Sequence, residues 1–198
     1  PAQWFTAGKG LKGKIMDYLS LIAEHEQTIT LMKAECLTDI SRFAEACREA
    51  IAAGHTVYLM GNGGSACDCQ HFAAELVGRF QRERQAMASV ALTTDTSILT
   101  ALANDYGFES VFARQVEALV RTGDVVVGLS TSGNSPNILK GLAKARERGA
   151  LTVGMTGRSG GAVKDLCDIC IRIPSEVTAR IQEAHLLVEH LVCQRLEE

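Results

Sequence analysis

Asp124-Val125-Val126-Val127-Gly128-Leu129 runs straight into Ser130-Thr131-Ser132-Gly133-Asn134-Ser135-Pro136-Asn137, and that junction decides the fold. The first part is almost continuously apolar and rich in β-branched residues, as suits a strand buried on both faces. The second is a polar turn around a glycine, with Pro136 placed for the first turn of a helix. Strand, turn and helix in that order form the repeating unit of an α/β protein.

Four more short apolar runs flank this unit: Thr56–Met60, Ser89–Leu92, Leu151–Met155 and Asp168–Ile173. Segments with helical spacing separate them. The alternation predicts a mainly parallel five-stranded sheet with helices on both faces. Leu19 to Ala53 reads as one or two long helices, with Ile22, Ile29, Met32, Ile40, Phe43 and Cys47 in helical register and Gly54 as the stop. Ser175 to Leu196 reads as a final helix. Two such terminal helices exceed what one sheet needs for cover, so subunits are expected to pack through a helical core. Pro1 to Gly13 has no clear period and is expected to be a disordered or non-native segment ahead of a single domain over residues 14–198. No repeat, low-complexity tract or linker divides the chain.

A chain of 198 residues suffices for one ordinary core without staples. Its formal charge of -3 gives no reason to expect nucleic acid or an anionic membrane as partner. No apolar run approaches the roughly 20 residues that span a bilayer, and no signal-peptide pattern opens the chain. Seven scattered cysteines, an odd number, point to a reducing, cytoplasmic setting. Cys167 and Cys170 form a C-x-x-C that invites a redox or zinc reading. Without a second such motif, and at the start of a buried strand, they read as two core thiols. Cys67 and Cys69, two apart on a helix, face different ways and cannot chelate together.

Ligands of doubly wound sheets bind beyond the carboxyl ends of strands. Gly61-Asn62-Gly63-Gly64-Ser65 stands there, between a strand and the helix Ala66–Phe80. Its glycines let backbone amides approach an anion at a helix N-terminus, although a tight turn without a ligand explains them too. It is neither G-x-G-x-x-G nor a P-loop. In the second loop, Ser130, Thr131, Ser132 and Ser135 bring four hydroxyls to one helix start. That exceeds capping needs and suits a phosphate met without a cation. On the first helix, His71 and Glu75 lie four residues apart and share a face. By spacing alone they read as a surface ion pair, but their helix begins at the glycine loop.

These loops, with Ala91-Leu92-Thr93-Thr94-Asp95-Thr96-Ser97-Ile98-Leu99, Ala103-Asn104-Asp105-Tyr106-Gly107, Arg180-Ile181-Gln182-Glu183 and His190, resemble the SIS (sugar isomerase) family, and within it the phosphoheptose isomerases. The likeness runs from about Leu19 to the end of the chain. It implies a three-layer α/β/α sandwich around a five-stranded parallel sheet, flavodoxin-like, assembled as a homotetramer with active sites at subunit interfaces. It implies interconversion of sedoheptulose 7-phosphate and D-glycero-D-manno-heptose 7-phosphate through an enediol, the step that opens ADP-heptose synthesis for bacterial surface glycans.

By the same resemblance Glu75 is the general base and His190 its acid partner. Asn62, Gly63, Gly64, Ser65, Glu75, Asn104, Asp105 and Gln182 line the sugar, and Ser130, Thr131, Ser132 and Ser135 take the phosphate. Some members hold zinc at the positions of His71, Glu75, Gln182 and His190, which implies one zinc per subunit here. His185 rivals His190 on spacing, but family matching leaves it to packing or a subunit contact. Thr93, Thr94 and Asp95 read equally as helix caps or as support for the site. Two departures stand out: Ala179 replaces a carboxylate of some members, and a Pro-Gly after Arg84 is missing. A non-enzymatic relative that binds the replication initiator shares the loops but lacks the Glu75 carboxylate and His190 imidazole, both kept here.

Overall fold

The computed structural model describes residues 10–198, with side chains from Asp17 onward. Residues 1–9 of the segment expected to be disordered lie outside the described residues, and its last four, Gly10 to Gly13, belong instead to the first helix. The strands are β1 (Val57–Gly61), β2 (Ser89–Ala91), β3 (Val125–Ser130), β4 (Leu151–Thr156) and β5 (Ile169–Arg172), each close to an expected run. All pair in parallel, in the order β2-β1-β3-β4-β5. The helices are α1 (Gly10–Glu35), α2 (Leu37–Ala52), α3 (Gly64–Val77), α4 (Thr96–Tyr106), α5 (Val111–Leu119), α6 (Pro136–Glu147) and α7 (Thr178–Leu196).

Alternation along each strand sends side chains into two cores. Val57, Leu59, Val125, Val127, Ile169 and Ile171 face α2, α3, α7 and the end of α1. Tyr58, Met60 and Val126 face α5 and α6. The result is the three-layer α/β/α sandwich expected from the sequence. The stretch Leu19–Ala53 is two helices, parted by a single turn residue at Cys36. No glycine or proline marks that break, and hydrogen bonds continue across it from Cys36 N to Met32 O and from Ile40 N to Cys36 O. Gly54, at φ 83, ends the helical run as expected. Cys167 and Cys170 are half-buried rather than fully enclosed: Cys167 packs against the edge of a core cluster, and Cys170 stands on β5, the edge strand of the sheet. No helix among the described residues is long and apolar enough to cross a membrane.

From β1 the chain goes to β2 on one side of the sheet, and from β3 to β4 and β5 on the other. The strand order therefore reverses between β1 and β3, which opens a crevice at their carboxyl ends. Gly61 pairs with Leu129 in register, so the glycine loop and the serine turn leave the sheet side by side.

Candidate active site

The serine turn is built by its own hydroxyls. Ser130, buried at the end of β3, lies 3.0 Å from the Ser135 hydroxyl and 3.5 Å from that of Ser132. Ser132 Oγ accepts from Asn134 N at 3.2 Å. Ser135 occupies the N-cap of α6 yet makes no side-chain cap bond, so its hydroxyl is not spent on the helix. Gly133 turns the chain at φ 67, and a Cβ there would stand 2.2 Å from Gly160 O. The segment behind it is fastened by Val163 N to Gly133 O and Ala162 N to Asn134 Oδ1, both at 3.0 Å. Beside the turn opens a cavity of about 300 Å³ lined by Thr131, Ser132, Arg158, Ser159, Ser175 and Thr178. A larger cavity of about 620 Å³, lined by His55, Arg82, Met87 and Glu197, touches none of the candidate residues.

Asn62 joins the two loops. Its amide donates to Asn137 Oδ1 at 2.9 Å and accepts from Asn137 Nδ2 at 2.7 Å. Gly63 holds φ 57, with open space where a side chain would stand. Gly64 is required for a different reason, since a Cβ there would lie 2.6 Å from Gln182 Nε2. Gln182 of α7 thus rests on the start of α3, where the next residue, Ser65, is buried.

Further along the same two helices, His71 Nε2 and His190 Nε2 stand 2.9 Å apart. One nitrogen donates and the other accepts, as the tautomers dictate. Glu75 Oε1 is 3.6 Å from His71 Nε2, and the Phe80 ring lies 5.3 Å from that of His190. The structure therefore brings His71, Glu75 and His190 into one cluster, and Gly64 with Gln182 into another. Glu75 lies eleven residues past Gly64, about 16 Å down the helix axis.

As it stands, no set of three or more His, Cys, Asp or Glu side chains among the described residues is arranged for a metal ion. The nearest approach is this cluster. Two imidazole nitrogens on one tetrahedral Zn²⁺ sit about 3.3 Å apart, so the pair at 2.9 Å needs only a slight parting to admit it. Two imidazoles and a carboxylate are donors that zinc accepts, whereas Gln182, resting against Gly64, stands apart from them.

Other expectations separate. Asn104 and Asp105 are exposed at the end of α4, where Asn104 Nδ2 donates to Asp105 Oδ1 at 2.8 Å, and neither bonds another candidate residue. Asp95 caps α4 by accepting from Ile98 N at 2.9 Å, and Thr93 Oγ1 accepts from Gln70 at 3.1 Å. His185 is wholly buried with Nε2 3.3 Å from Thr156 O, which makes it a packing residue. Burial holds its imidazole at about 4, against the small upward pull of that carbonyl.

Sequence reasoning missed two features. Asn137, buried at the first turn of α6, had no signal beyond its place after the serines. The second is a clamp on the end of α3. Glu197 accepts from the amides of Phe80, Gln81 and Arg82, each at 2.8 Å, and from Arg84 Nε at 3.2 Å. Arg84 in turn donates to the carbonyls of Glu75 and Leu76 at 2.7 and 2.9 Å. A partner more than a hundred residues away leaves no local pattern.

Residues 21–157 match the family model of the SIS domain. Fold, crevice and match together define the class, a sugar-phosphate isomerase on an SIS scaffold. The phosphoheptose isomerase of Geobacter sulfurreducens is 50% identical over 184 residues, covering 93% of this chain and 97% of the relative. That of Geobacter metallireducens is 50% identical over 182 residues, covering 92% and 96%. The solved phosphoheptose isomerase of Neisseria gonorrhoeae superposes with a TM-score of 0.87 at 39% identity, covering 94% of this chain and 98% of that one. The chain belongs to the phosphoheptose isomerase family.

Proposed function

We propose that this chain interconverts sedoheptulose 7-phosphate and D-glycero-D-manno-heptose 7-phosphate, with Glu75 as base and His190 as its partner. The observation that carries the reading is the grouping of Glu75, His71 and His190 on helices that both reach the crevice. The reading of the substrate rests on the relatives' names and on four hydroxyls, those of Ser130, Thr131, Ser132 and Ser135, gathered at the start of α6, where Ser135 makes no side-chain cap bond. Neutral donors and the α6 dipole meet the dianion there.

In the direction from ketose to aldose, Glu75 removes a proton from C1 while His190 gives one to the oxygen on C2, forming the enediol. Glu75 then returns its proton to C2, and His190 takes one from the oxygen on C1 as the aldehyde forms. Asn62, Gly63, Gly64, Ser65 and Gln182 line the sugar, with Asn104 and Asp105 holding hydroxyls. His71, Glu75, Gln182 and His190 would hold one zinc, which when bound supplies Lewis-acid polarisation of the substrate oxygens.

The assembly is a homotetramer with shared sites. Tyr18, Leu19, Leu21 and Ile22 of α1 are exposed apolar residues that a helical core between subunits would cover. The placement of Glu75 far down α3 from its own glycine loop, and of Asn104 and Asp105 away from the other candidates, supports sites completed by a second copy. The cysteine pattern supports a cytoplasmic setting, and the product fits the opening of ADP-heptose synthesis for surface glycans.

The test supplies sedoheptulose 7-phosphate and follows aldoheptose formation, with Glu75→Gln and His190→Gln as controls. Turnover by the wild type and its loss in both variants is expected. No turnover by the assembled protein, with or without zinc, would sink the assignment. Undiminished turnover by Glu75→Gln would remove the base.

A further inference from the structure

The C-x-x-C at Cys167 and Cys170 plays no part in the isomerase site, yet its surroundings are not those of idle core thiols. Both side chains are half-buried at the edge of the sheet. Gly154, the register partner of Cys170 on β4, leaves room for Val163 and for the two sulfurs. A Cβ at Gly154 would meet Cys167 Sγ at 3.0 Å and Cys170 Sγ at 3.7 Å, so both crowd a single point over the glycine. The Thr156 hydroxyl is 4.0 Å from Cys170 Sγ. Cys170 also borders a cleft of about 250 Å³ with Cys36, Asp39, Arg158 and Arg172, which gives a reagent a way in.

The two thiols are electrically unequal. Hydrogen bonding from Cys167 holds Cys170 down at about 7 against the pull of burial, with Thr156 and Arg172 assisting. The same hydrogen bond, with burial, pushes Cys167 up. A low-lying thiolate beside a protonated neighbour is the arrangement of an attacking sulfur and its resolving partner. The remaining cysteines offer no equivalent: Cys36, Cys47, Cys69 and Cys193 are buried, and Cys67 is exposed on the opposite face of α3 from Cys69.

We propose that Cys167 and Cys170 form a thiol–disulfide exchange site for low-molecular-weight disulfides. The Cys170 thiolate attacks one sulfur of the reagent, whose S–S bond breaks, releasing one thiolate and leaving a mixed disulfide on Cys170. Cys167 gives its proton to solvent, and its sulfur displaces the second thiolate from Cys170. The intramolecular bond closes, the pair is oxidised by two electrons, and the reagent leaves as two reduced thiols. The site adjoins the short turn Val163–Asp165, whose Val163 backs the serine turn.

The experiment treats the full chain with oxidised glutathione at mildly alkaline pH, alkylates the remaining thiols and maps them by peptide mass. Expected is a Cys167–Cys170 linkage with two of the seven thiols lost. Cys167→Ser should stop with glutathione held on Cys170, and Cys170→Ser should leave Cys167 free. The proposal is overturned if the wild-type pair stays fully alkylatable, if glutathione persists on Cys170 with Cys167 present, or if other cysteines react in their place.

Discussion

Arg84 donates from Nη2 to the carbonyl oxygen of Glu75 at 2.7 Å, so a loop residue holds the backbone of the proposed base. Its guanidinium stands at the carboxyl end of α3, where a cation complements the helix dipole, and Glu197 holds it there. The side chain of Glu197 is 1% exposed and that of Arg84 14%, so removing either leaves the other enclosed without its partner. Arg84→Met is expected to cost about 3 kcal/mol. In melting temperature that is a fall of roughly 10 °C. It should also lower kcat more than it raises KM, with partial recovery in Arg84→Lys. A lower melting point with kcat unchanged would make the clamp purely structural.

Glu197 also sets an acid limit on stability. Burial alone would raise its carboxyl, but the amides of Gln81, Phe80 and Arg82 together with Arg84 outweigh that and hold it at about 2, against an ordinary 4.5. The folded state therefore favours the ionised form. Its contribution is complete above about 4.5 and fades as pH falls toward 2. The stability gap between wild type and Glu197→Gln should be widest at neutral pH and shrink below that point. Urea midpoints across the acid range check this, and a constant gap would contradict it.

Gly64→Ala separates fold from function. The added methyl meets the far end of the Gln182 side chain, which can swing aside, and alanine is favourable in a helix. Stability should change by less than about 1 kcal/mol. Turnover should drop about tenfold or more as Gln182 leaves its place, a loss of roughly 1.4 kcal/mol in the transition state. If Gln182 carries the effect, adding Gln182→Ala should cost Gly64→Ala little further activity.

Glu189 of α7 is completely buried, neither carboxylate oxygen finds a partner, and Asp68 of α3 lies close enough to add its repulsion. Burial first, then Asp68, pushes its carboxyl up to about 9. An enclosed polar group without partners costs stability, so Glu189→Leu should stabilise the fold by about 1–3 kcal/mol. Thermal melts decide it, and a lower melting point would reveal a partner for Glu189 that the isolated chain does not provide.

Metal removal gives the fifth prediction. The proposed ligand set, which includes an amide, would bind zinc modestly, so a strong chelator should strip the metal and lower turnover, with recovery on adding Zn²⁺. Elemental analysis should find about one zinc per subunit, given three protein donors besides the amide. Full activity in chelated, metal-free protein would leave His71 and Gln182 without a metal role.

The strands were legible because burial on both sides imposes long β-branched runs, and Val125–Leu129 shows this most clearly. The serine turn was legible because it needs several hydroxyls in a row. The contact of Gly64 with Gln182 was not, since a glycine at a helix start usually signals a turn, and only the packed α7 shows that the missing side chain makes room for another. Cys36 broke the long helical run without any residue that breaks helices. Cys167 and Cys170 proved half-buried at the margin of the core, since sequence shows that a strand is apolar but not that it lies at the edge of its sheet.

The reciprocal amides of Asn62 and Asn137 have a mechanical consequence. Each loop hangs from its own strand, but the pair of hydrogen bonds between them ties one to the other. On the proposed reading, in which the two loops hold the two ends of a sugar phosphate, contact at either loop also restrains the other. Any freedom the loops give up on binding would then be given up together, so the second contact would cost less than the first.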